Sequence, residues 1–285
     1  MSKKMNKNII LFSTGVFMNS ANKQGSELII GLAQKLVSSG FELLVSDYFA
    51  NKQNEYEEVA ENVFFAMERG AFFPVMHTNQ AIGVLISRNE QGDIENALQI
   101  FEFNCKYAVK FGVKLLVLHL WGGSYSDRNI ETNIKAYARL KEISDRYDLI
   151  LTIENIICAV DKPLAHMKKM WDIYKNDIKF TIDVRHAEYH KSLIETCESD
   201  FLWENDLVDH FHISDYKGGY MEMEKLIGNN VPITFGDVNF SYLFSFLKSI
   251  NYSGSITIEN SRISESDDLV YNFNKAYEFI ENGLR

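Results

Sequence analysis

Short apolar runs, rich in β-branched and aromatic residues, alternate with longer amphipathic segments along the sequence. Such runs are typical of buried strands, and apolar positions at helical spacing between them indicate helices. Eight runs qualify, with ends roughly 30 to 45 residues apart, which suits repeated βα units. The predicted strands are Asn8–Ser13, Phe41–Ser46, Phe72–His77, Lys114–His119, Leu149–Glu154, Ile178–Asp183, Leu207–Ile213 and Ser255–Glu259.

The predicted helix that begins at Asp93 has the clearest apolar stripe, and it stops at Gly112, a residue type that often ends helices. A helix over Glu27–Ser39 is predicted with Ser26 as its N-cap, and a shorter one covers Phe240–Leu247. The stripe consists of Ile94, Ala97, Leu98, Phe101, Cys105, Ala108 and Val109.

Eight parallel strands that alternate with helices predict a single-domain α/β fold, a (β/α)8 TIM barrel over residues 1–285. The alternative is a doubly wound open sheet, in which a glycine-rich phosphate loop would follow the first strand. Ser13-Thr14-Gly15 is not followed by a G-x-G-x-x-G pattern, so the barrel is favoured.

Charge, cysteine count and apolar runs limit the partners and the cellular location that we expect. The sequence has 29 Lys and Arg against 39 Asp and Glu, a formal net charge of −10, which disfavours nucleic acid as a partner. Three cysteines are too few for a disulfide framework, and no apolar run reaches the length of a membrane span, which favours a cytoplasmic protein. Lysines before the apolar run at residues 9–18 mimic a signal peptide, but small polar residues interrupt that run, and we interpret it as the first strand.

Metal-capable side chains stand at the ends of six of the eight predicted strands. In a (β/α)8 barrel the chemistry is built at the carboxyl ends of the strands. With only 7 histidines in 285 residues, uncorrelated placement would rarely give this result. The six residues are His77, His119, Glu154, Asp183, His212 and Glu259.

Strand parity offers a second test, because side chains two residues apart share a face of a strand. The residues two before the last four strand-end groups are small or polar, whereas neighbours such as Ile153 and Ile182 are apolar. The strand-end groups should therefore point into the barrel above a polar layer. That layer would comprise Thr152, Thr181, His210 and Thr257.

Three carboxylates and a histidine in one cavity repel one another unless they are protonated or bind a cation. Hard oxygen ligands with one imidazole suit one Mn²⁺ or Mg²⁺ ion, with Zn²⁺, Co²⁺ and Fe²⁺ as alternatives. Such a metal can chelate a ketone and the neighbouring hydroxyl and stabilise an enediolate. Two carboxylates on opposite sides of the substrate would then take and return the proton.

Five stretches of this sequence resemble, in order, the xylose isomerase-like superfamily of barrels, the sugar phosphate isomerase/epimerase group that also contains endonuclease IV (AP endonuclease family 2). The resemblance covers nearly the whole chain and is more specific for the superfamily than for a substrate. The stretches are Leu151-Thr-Ile-Glu-Asn155, Thr181-Ile-Asp-Val-Arg-His186, His210-Phe-His-Ile-Ser-Asp215, Phe235-Gly-Asp-Val-Asn-Phe240 and Ile256-Thr-Ile-Glu-Asn260.

The resemblance to ketose 3-epimerases implies one divalent metal on Glu154, Asp183, His212 and Glu259, with Glu154 and Glu259 as the acid/base pair. It also implies that His186 contacts substrate oxygens and that Asp215 orients the ligand histidine. The reaction implied is isomerisation or epimerisation of a sugar, sugar phosphate or polyol ketone. A homo-oligomer is compatible with this group of barrels.

Other candidate substrate contacts are less specific. His77 and His119 could line the pocket or ligate metal directly, and Trp121 is either a wall for a sugar ring or a loop tryptophan that covers the barrel mouth. Lys217 stands where known 3-epimerases place an arginine. We interpret His210 as an inward histidine with its hydrogen bonds satisfied. The other two, His166 and His190, are expected to be surface residues of helices.

Two departures from the family pattern leave other functions open. The second strand runs Leu44-Val-Ser-Asp47, without the glutamate that often ends it in sugar-converting members. The endonuclease branch has nine metal ligands, of which seven are matched, but Asn230 and Pro232 stand in place of the other two. The alternatives are an inosose-type dehydratase, an endonuclease IV-like phosphodiesterase and a non-catalytic sugar-binding barrel.

Overall fold

Eight parallel strands close into a barrel in the computed structural model of the chain, which describes residues 8–16, 35, 40–228, 231–259 and 269–285. Each strand pairs with the next, and the eighth returns to the first, which confirms the predicted (β/α)8 barrel. All eight predicted strands are confirmed, with ends shifted by no more than two residues. They are β1 (Ile10–Ser13), β2 (Gly40–Leu44), β3 (Phe72–His77), β4 (Leu115–Leu118), β5 (Ile150–Glu154), β6 (Lys179–Asp183), β7 (Val208–Ile213) and β8 (Ser255–Ile258).

Helices alternate with these strands around the outside. The predicted helix that begins at Asp93 is confirmed and ends at Lys110, with Gly112 at a φ of 73° directly beyond it. Ser26 and nearly all of the predicted helix Glu27–Ser39 lie outside the described residues. The described α-helices are α1 (Tyr56–Met67), α2 (Ala81–Arg88), α3 (Asp93–Lys110), α4 (Ile130–Arg146), α5 (Pro163–Tyr174), α6 (Val184–Tyr189), α7 (Leu193–Cys197), α8 (Asp200–Trp203), α9 (Met223–Gly228), α10 (Phe240–Ser249) and α11 (Leu269–Leu284).

The alternation of side chains along each strand separates two layers. Outward-facing residues such as Ile153 and Phe211 join the large apolar core between strands and helices. The inward face differs around the barrel: β1, β3 and β4 contribute a small apolar cluster, while β5 to β8 contribute hydroxyl and imidazole groups. The hydroxyls of Thr152 and Thr181 lie 2.7 Å apart in this polar half, which confirms the predicted polar layer.

Gly83 lets α2 pack closely on the end of β4. A Cβ at this position would lie 2.3 Å from the carbonyl oxygen of His119 and 2.8 Å from that of Trp121, far inside contact distance. Only glycine therefore allows this helix to support the strand end that carries His119.

Among the described residues, every helix is too short or too polar to cross a lipid bilayer.

Candidate active site

Four predicted ligands meet at the carboxyl ends of β5 to β8. Glu154, Asp183, His212 and Glu259, which we call the strand-end cluster, each offer one ligand atom, and these atoms all lie within 4.8 Å of one another. Three of the four side chains are almost fully buried, whereas that of Glu259 is 28% exposed. The barrel thus brings three carboxylates and one imidazole together at the floor of its mouth.

Local hydrogen bonds hold Asp183 in place. One carboxylate oxygen accepts from the backbone N–H of His186 at 2.7 Å, so Asp183 also caps α6. Its backbone N–H donates to the side-chain oxygen of Asn155, whose amide nitrogen donates back to the Asp183 carbonyl. These contacts connect the ends of β5 and β6 and explain why an aspartate followed by a short helix stands here.

His212 links the strand-end cluster to the barrel interior. Its Nδ1 lies 3.2 Å from Glu154 and 3.5 Å from Glu259, and its Nε2 lies 3.1 Å from a carboxylate oxygen of Glu42. Carboxylates only accept, so both ring nitrogens face acceptors, and a neutral ring with its hydrogen on Nε2, toward Glu42, would aim the Nδ1 lone pair at two carboxylates. That arrangement is repulsive unless a proton or a cation lies between them.

Three further histidines surround Glu154. His119 Nε2 lies 2.7 Å and His77 Nε2 lies 3.3 Å from the same oxygen, while His186 Nδ1 lies 3.5 Å from the other. His77 Nδ1 lies 2.9 Å from the Thr78 carbonyl and so carries a hydrogen. His77, His119 and Glu154 form a second group whose ligand atoms lie within 4.8 Å of one another.

Burial disfavours the charged form of each ionisable group in this region, and the charges of neighbouring groups determine the final direction of each pKa shift. Burial raises the pKa of Glu154, but His119 and His212 outweigh it and hold that pKa well below its usual range. Burial and repulsion from Glu154, Glu42 and Asp183 raise the pKa of Glu259 to about 7, against an opposing effect of His212. Burial lowers the pKa of His77, but its contact with Glu154 prevails and brings it to about 9. The carboxylates therefore compete for positive charge.

A cavity of about 620 Å³ opens above this floor. His77, His119, Glu154, His186 and Glu259 line it, and the sequence predicted this position for His77 and His119. The loops after β4, β5 and β7 supply its walls. Wall residues include Ser124, Ser126, Ile156, Ile157, Met221 and Met223.

The structure does not bring Trp121 or Lys217 to this cavity. The Trp121 side chain is fully buried and packs edge-on against His166, with ring centres 5.5 Å apart, so it cannot form the expected wall for a sugar ring. Lys217 is exposed and lies outside the cavity lining of the described residues.

His166 and His190 are not surface residues, contrary to expectation, since both are about 1% exposed. His166 Nε2 donates to Asp127 at 2.8 Å, and the same carboxylate accepts from the backbone N–H groups of residues 159–161 at 2.7 to 3.2 Å. We call this group the Asp127 clamp. His190 Nε2 accepts from the backbone N–H of Cys158. Both histidines thus hold the loop after β5, and helical pattern alone could not reveal these loop contacts.

Asp215 does not orient His212 as expected. Its carboxylate accepts from its neighbour's backbone N–H and from those of Thr234, Gly236 and Val238 at 2.8 to 3.2 Å, so it anchors that loop. The orienting contact comes instead from Glu42, which sequence reasoning missed. The available signal was a charged residue on the inward face of an otherwise apolar second strand, two positions before Leu44.

Comparison with known proteins agrees with this architecture. Residues 32–281 match the family profile described as Xylose isomerase-like TIM barrel. The chain is similar to the structure of D-allulose 3-epimerase from Methylomonas sp. in complex with D-allulose, with 15% identity, a TM-score of 0.72 and 97% of each chain covered. It is also similar to that of 3-keto-D-glucoside 4-epimerase, YcjR, from E. coli, with 16% identity, a TM-score of 0.67, and 97% of this chain and 100% of that chain covered.

A match to a curated sequence is shorter. The uncharacterized protein MJ1311 from Methanocaldococcus jannaschii is 26% identical over 154 residues, which span 52% of this chain and 48% of that protein, about half the length of each. The structural likenesses, at such low identity, establish the fold. The family profile covers most of the sequence, and the chain belongs to the xylose isomerase-like TIM barrel family.

Proposed function

We propose that this protein is a divalent-metal-dependent isomerase or epimerase of a sugar, sugar phosphate or polyol ketone. The observation that carries the proposal is the convergence of the strand-end cluster at the floor of an open cavity. Three carboxylates that face one another, two of them almost fully buried, are a poor structural design and a good cation site. The names of the two similar structures, epimerases of D-allulose and of a 3-keto-D-glucoside, support a carbonyl-bearing sugar as substrate.

The donor atoms fit one divalent ion. With the hydrogen of His212 on Nε2, the Nδ1 lone pair joins carboxylate oxygens of Glu154, Asp183 and Glu259 as ligands. This mixed oxygen and nitrogen set suits Mn²⁺ best, with Mg²⁺, Co²⁺ or Zn²⁺ as alternatives. A bound ion would supply Lewis-acid polarisation of the substrate carbonyl.

The protein's own residues would move the proton. Glu154 is held by His119 at 2.7 Å and is buried, whereas Glu259 is partly exposed to the cavity, so the two carboxylates have different access to a substrate between them. One glutamate takes the proton from the carbon beside the carbonyl; the C–H electron pair forms a C=C bond as the carbonyl π pair moves to the oxygen. In an epimerase the other glutamate then gives a proton to the opposite face of the same carbon. In an isomerase a proton goes to the former carbonyl carbon, and the neighbouring hydroxyl gives up its proton to the carbonyl oxygen as it becomes the new carbonyl. His186, 19% exposed beside them, would hold a substrate hydroxyl.

Deuterium exchange tests the proposal directly. The Mn²⁺-loaded protein is incubated in deuterated buffer with a panel of ketoses, ketose phosphates and inososes, and deuterium at carbon is followed by NMR. We expect incorporation with at least one class. We expect Glu259→Gln to lower its rate by at least about 10³-fold, because the variant loses one proton-transfer group. Glu131→Gln, at an exposed helix position, serves as the matched control and should retain the wild-type rate.

The other outcomes separate the rival functions. Exchange accompanied by loss of water would favour the inosose-type dehydratase. Tight sugar binding without any deuterium incorporation would contradict the proposal in favour of a binding barrel. Wild-type turnover in Glu259→Gln would reject the assigned role of that glutamate.

One observation favours a second candidate, a metal-dependent phosphodiesterase. The group formed by His77, His119 and Glu154 shares a carboxylate with the strand-end cluster and could hold a second ion. Pro232, which offers no side-chain ligand, and the net charge of −10 weigh against it, while Asn230 lies outside the described residues. Elemental analysis separates the candidates, since one divalent ion per chain fits the epimerase and two or three zinc ions fit the phosphodiesterase.

A further inference from the structure

Glu42 lies beneath the strand-end cluster, in the middle of β2, with no measurable exposure. One of its carboxylate oxygens accepts three hydrogen bonds: from the Thr257 hydroxyl at 2.6 Å, from His210 Nε2 at 3.0 Å and from His212 Nε2 at 3.1 Å. These donors stand on β7 and β8; in the closed sheet order β1 separates β8 from β2, and β1 and β8 separate β7 from β2. Glu42 therefore ties three strands together inside the barrel.

These contacts determine where the ring hydrogens lie. A carboxylate has no hydrogen to give at neutral pH, so both imidazoles place a hydrogen on Nε2. His210 Nδ1 then accepts from the Ser255 hydroxyl at 2.6 Å. With the Nε2 hydrogen held by Glu42, His212 Nδ1, which faces Glu154 and Glu259, is the ring nitrogen that can give its lone pair to a cation between these carboxylates. Glu42 thus selects the tautomer that a metal ligand needs.

Packing fixes the orientation of the His212 ring as well. His210 meets it edge-on with ring centres 5.0 Å apart, and His77 stacks on it at 5.9 Å. Since Asp215 is occupied by backbone N–H groups, Glu42 is the carboxylate that contacts His212 from below.

We propose that Glu42 is a positioning residue that holds His212 as the Nε2–H tautomer, aims its Nδ1 at the strand-end cluster and thereby strengthens divalent-metal binding there. The inference rests on the metal site of the proposed function. A carboxylate that accepts the distal N–H of a ligand histidine makes the ring a stronger donor, and loss of such a contact typically weakens metal affinity 10- to 100-fold.

Calorimetric titration of Mn²⁺ tests this role without an activity assay. We expect Glu42→Gln to weaken Mn²⁺ binding about 10- to 100-fold, because the neutral amide no longer supplies a carboxylate to the ring. Thr257→Val is the matched control: it removes another hydrogen bond to the same oxygen but leaves the contact with His212, and it should change affinity by less than about threefold. Nitrogen NMR of histidine-labelled protein loaded with diamagnetic Zn²⁺ should report the Nε2–H tautomer of His212 in the wild type and a mixture in Glu42→Gln.

Unfolding of the metal-free proteins identifies a purely structural role. If Glu42→Gln lowers thermal stability but binds Mn²⁺ as tightly as the wild type, the positioning role is rejected. If Glu42→Gln does not fold, Glu42→Asp, which retains the charge but is one methylene too short, takes its place and should also bind Mn²⁺ more weakly. A wild-type protein that binds no divalent ion would overturn the proposed function together with this inference, whereas equal binding by wild type and variant would overturn this inference alone.

Discussion

The strand-end cluster and the Asp127 clamp are both buried assemblies of carboxylate and imidazole, and their electrostatics differ. In the clamp, burial raises the pKa of Asp127, but His166 and three backbone N–H groups outweigh it and bring that pKa down to about 2. In the cluster, burial also raises the pKa of Glu259, and neighbouring carboxylates add to the effect, so it reaches about 7. Burial raises the pKa of both carboxyl groups, yet their net pKa shifts have opposite directions because their neighbours differ.

The clamp and the strand-end cluster differ in the number of hydrogen-bond donors that the protein supplies for each carboxylate oxygen. Each oxygen of Asp127 accepts at least two N–H groups that the protein itself supplies, so the clamp is complete without any ligand. In the strand-end cluster three carboxylates share one face with the Nδ1 of a single ligand histidine. A buried carboxylate that the fold satisfies is a structural anchor, while carboxylates that the fold sets against one another indicate a cation site.

The largest expected effect on stability comes from breaking the clamp. Asp127→Ala leaves His166 and the N–H groups of residues 159–161 without their acceptor, and we expect it to lower the free energy of unfolding by about 3–5 kcal/mol. Chemical denaturation checks this value. Mn²⁺ affinity of the folded variant should stay within about threefold of the wild type, because the clamp lies outside the cluster. A tenfold loss of affinity would show that the two regions are coupled.

Asp183→Asn should have the opposite pattern of effects, with little change in stability and a large loss of Mn²⁺ binding. The amide oxygen can still accept from the backbone N–H of His186, and removal of one charge relieves repulsion, so we expect stability to change by less than about 1 kcal/mol. Mn²⁺ at 100 times its dissociation constant should stabilise the wild type by about 2.7 kcal/mol, and this gain should be largely lost in the variant. Thermal unfolding with and without Mn²⁺ measures both quantities. Asp200→Asn, exposed at the start of α8, is the control, and an undiminished gain in Asp183→Asn would exclude Asp183 as a ligand.

The strand-end cluster could be predicted from the sequence because it depends on the regular spacing of strands and the alternation of side chains along them. Glu154, Asp183, His212 and Glu259 end successive strands at the same parity, and barrel closure alone brings such positions together. The polar layer beneath them follows from the same alternation. One rule of chain geometry therefore predicted both the fold and the convergence of these four side chains.

The clamp and Glu42 depend on irregular features that no periodicity reveals. His166 lies on α5, where helical spacing gives no hint that Asp127 in the preceding βα loop would bury it. Glu42 meets His212 only because the barrel closes and sets its β2 position level with β7. Trp121 is buried by the packing of its own loop against α5, which the sequence does not specify. Contacts made by loops and across the barrel require the three-dimensional register.

The smallest predicted effect is the pH dependence of stability due to His190. Its pKa is affected by His186, beside the strand-end cluster, and by Asp127 of the clamp. Burial, followed by the charge of His186, lowers its pKa to about 4, although Asp127 opposes the shift. Between about pH 4 and the ordinary histidine pKa of about 6.5, the unfolded chain therefore binds more protons than the folded protein. The stabilising contribution of neutral His190 is complete above that window and is lost as the pH falls through it.

His190→Gln retains an acceptor for the Cys158 N–H and cannot take up a proton. We expect the wild type to lose stability relative to the variant by at most about 1.4 kcal/mol per pH unit as the pH falls from 6.5 to 4. Urea unfolding of both proteins at pH 7.0, 5.5 and 4.5 measures the difference, in which the carboxylates common to both cancel. A difference that does not change with pH would mean that His190 takes up its proton as readily in the folded protein as in the unfolded chain. The loop after β5 would then have to supply an acceptor for its ring hydrogens, and the contact with the Cys158 N–H could not persist.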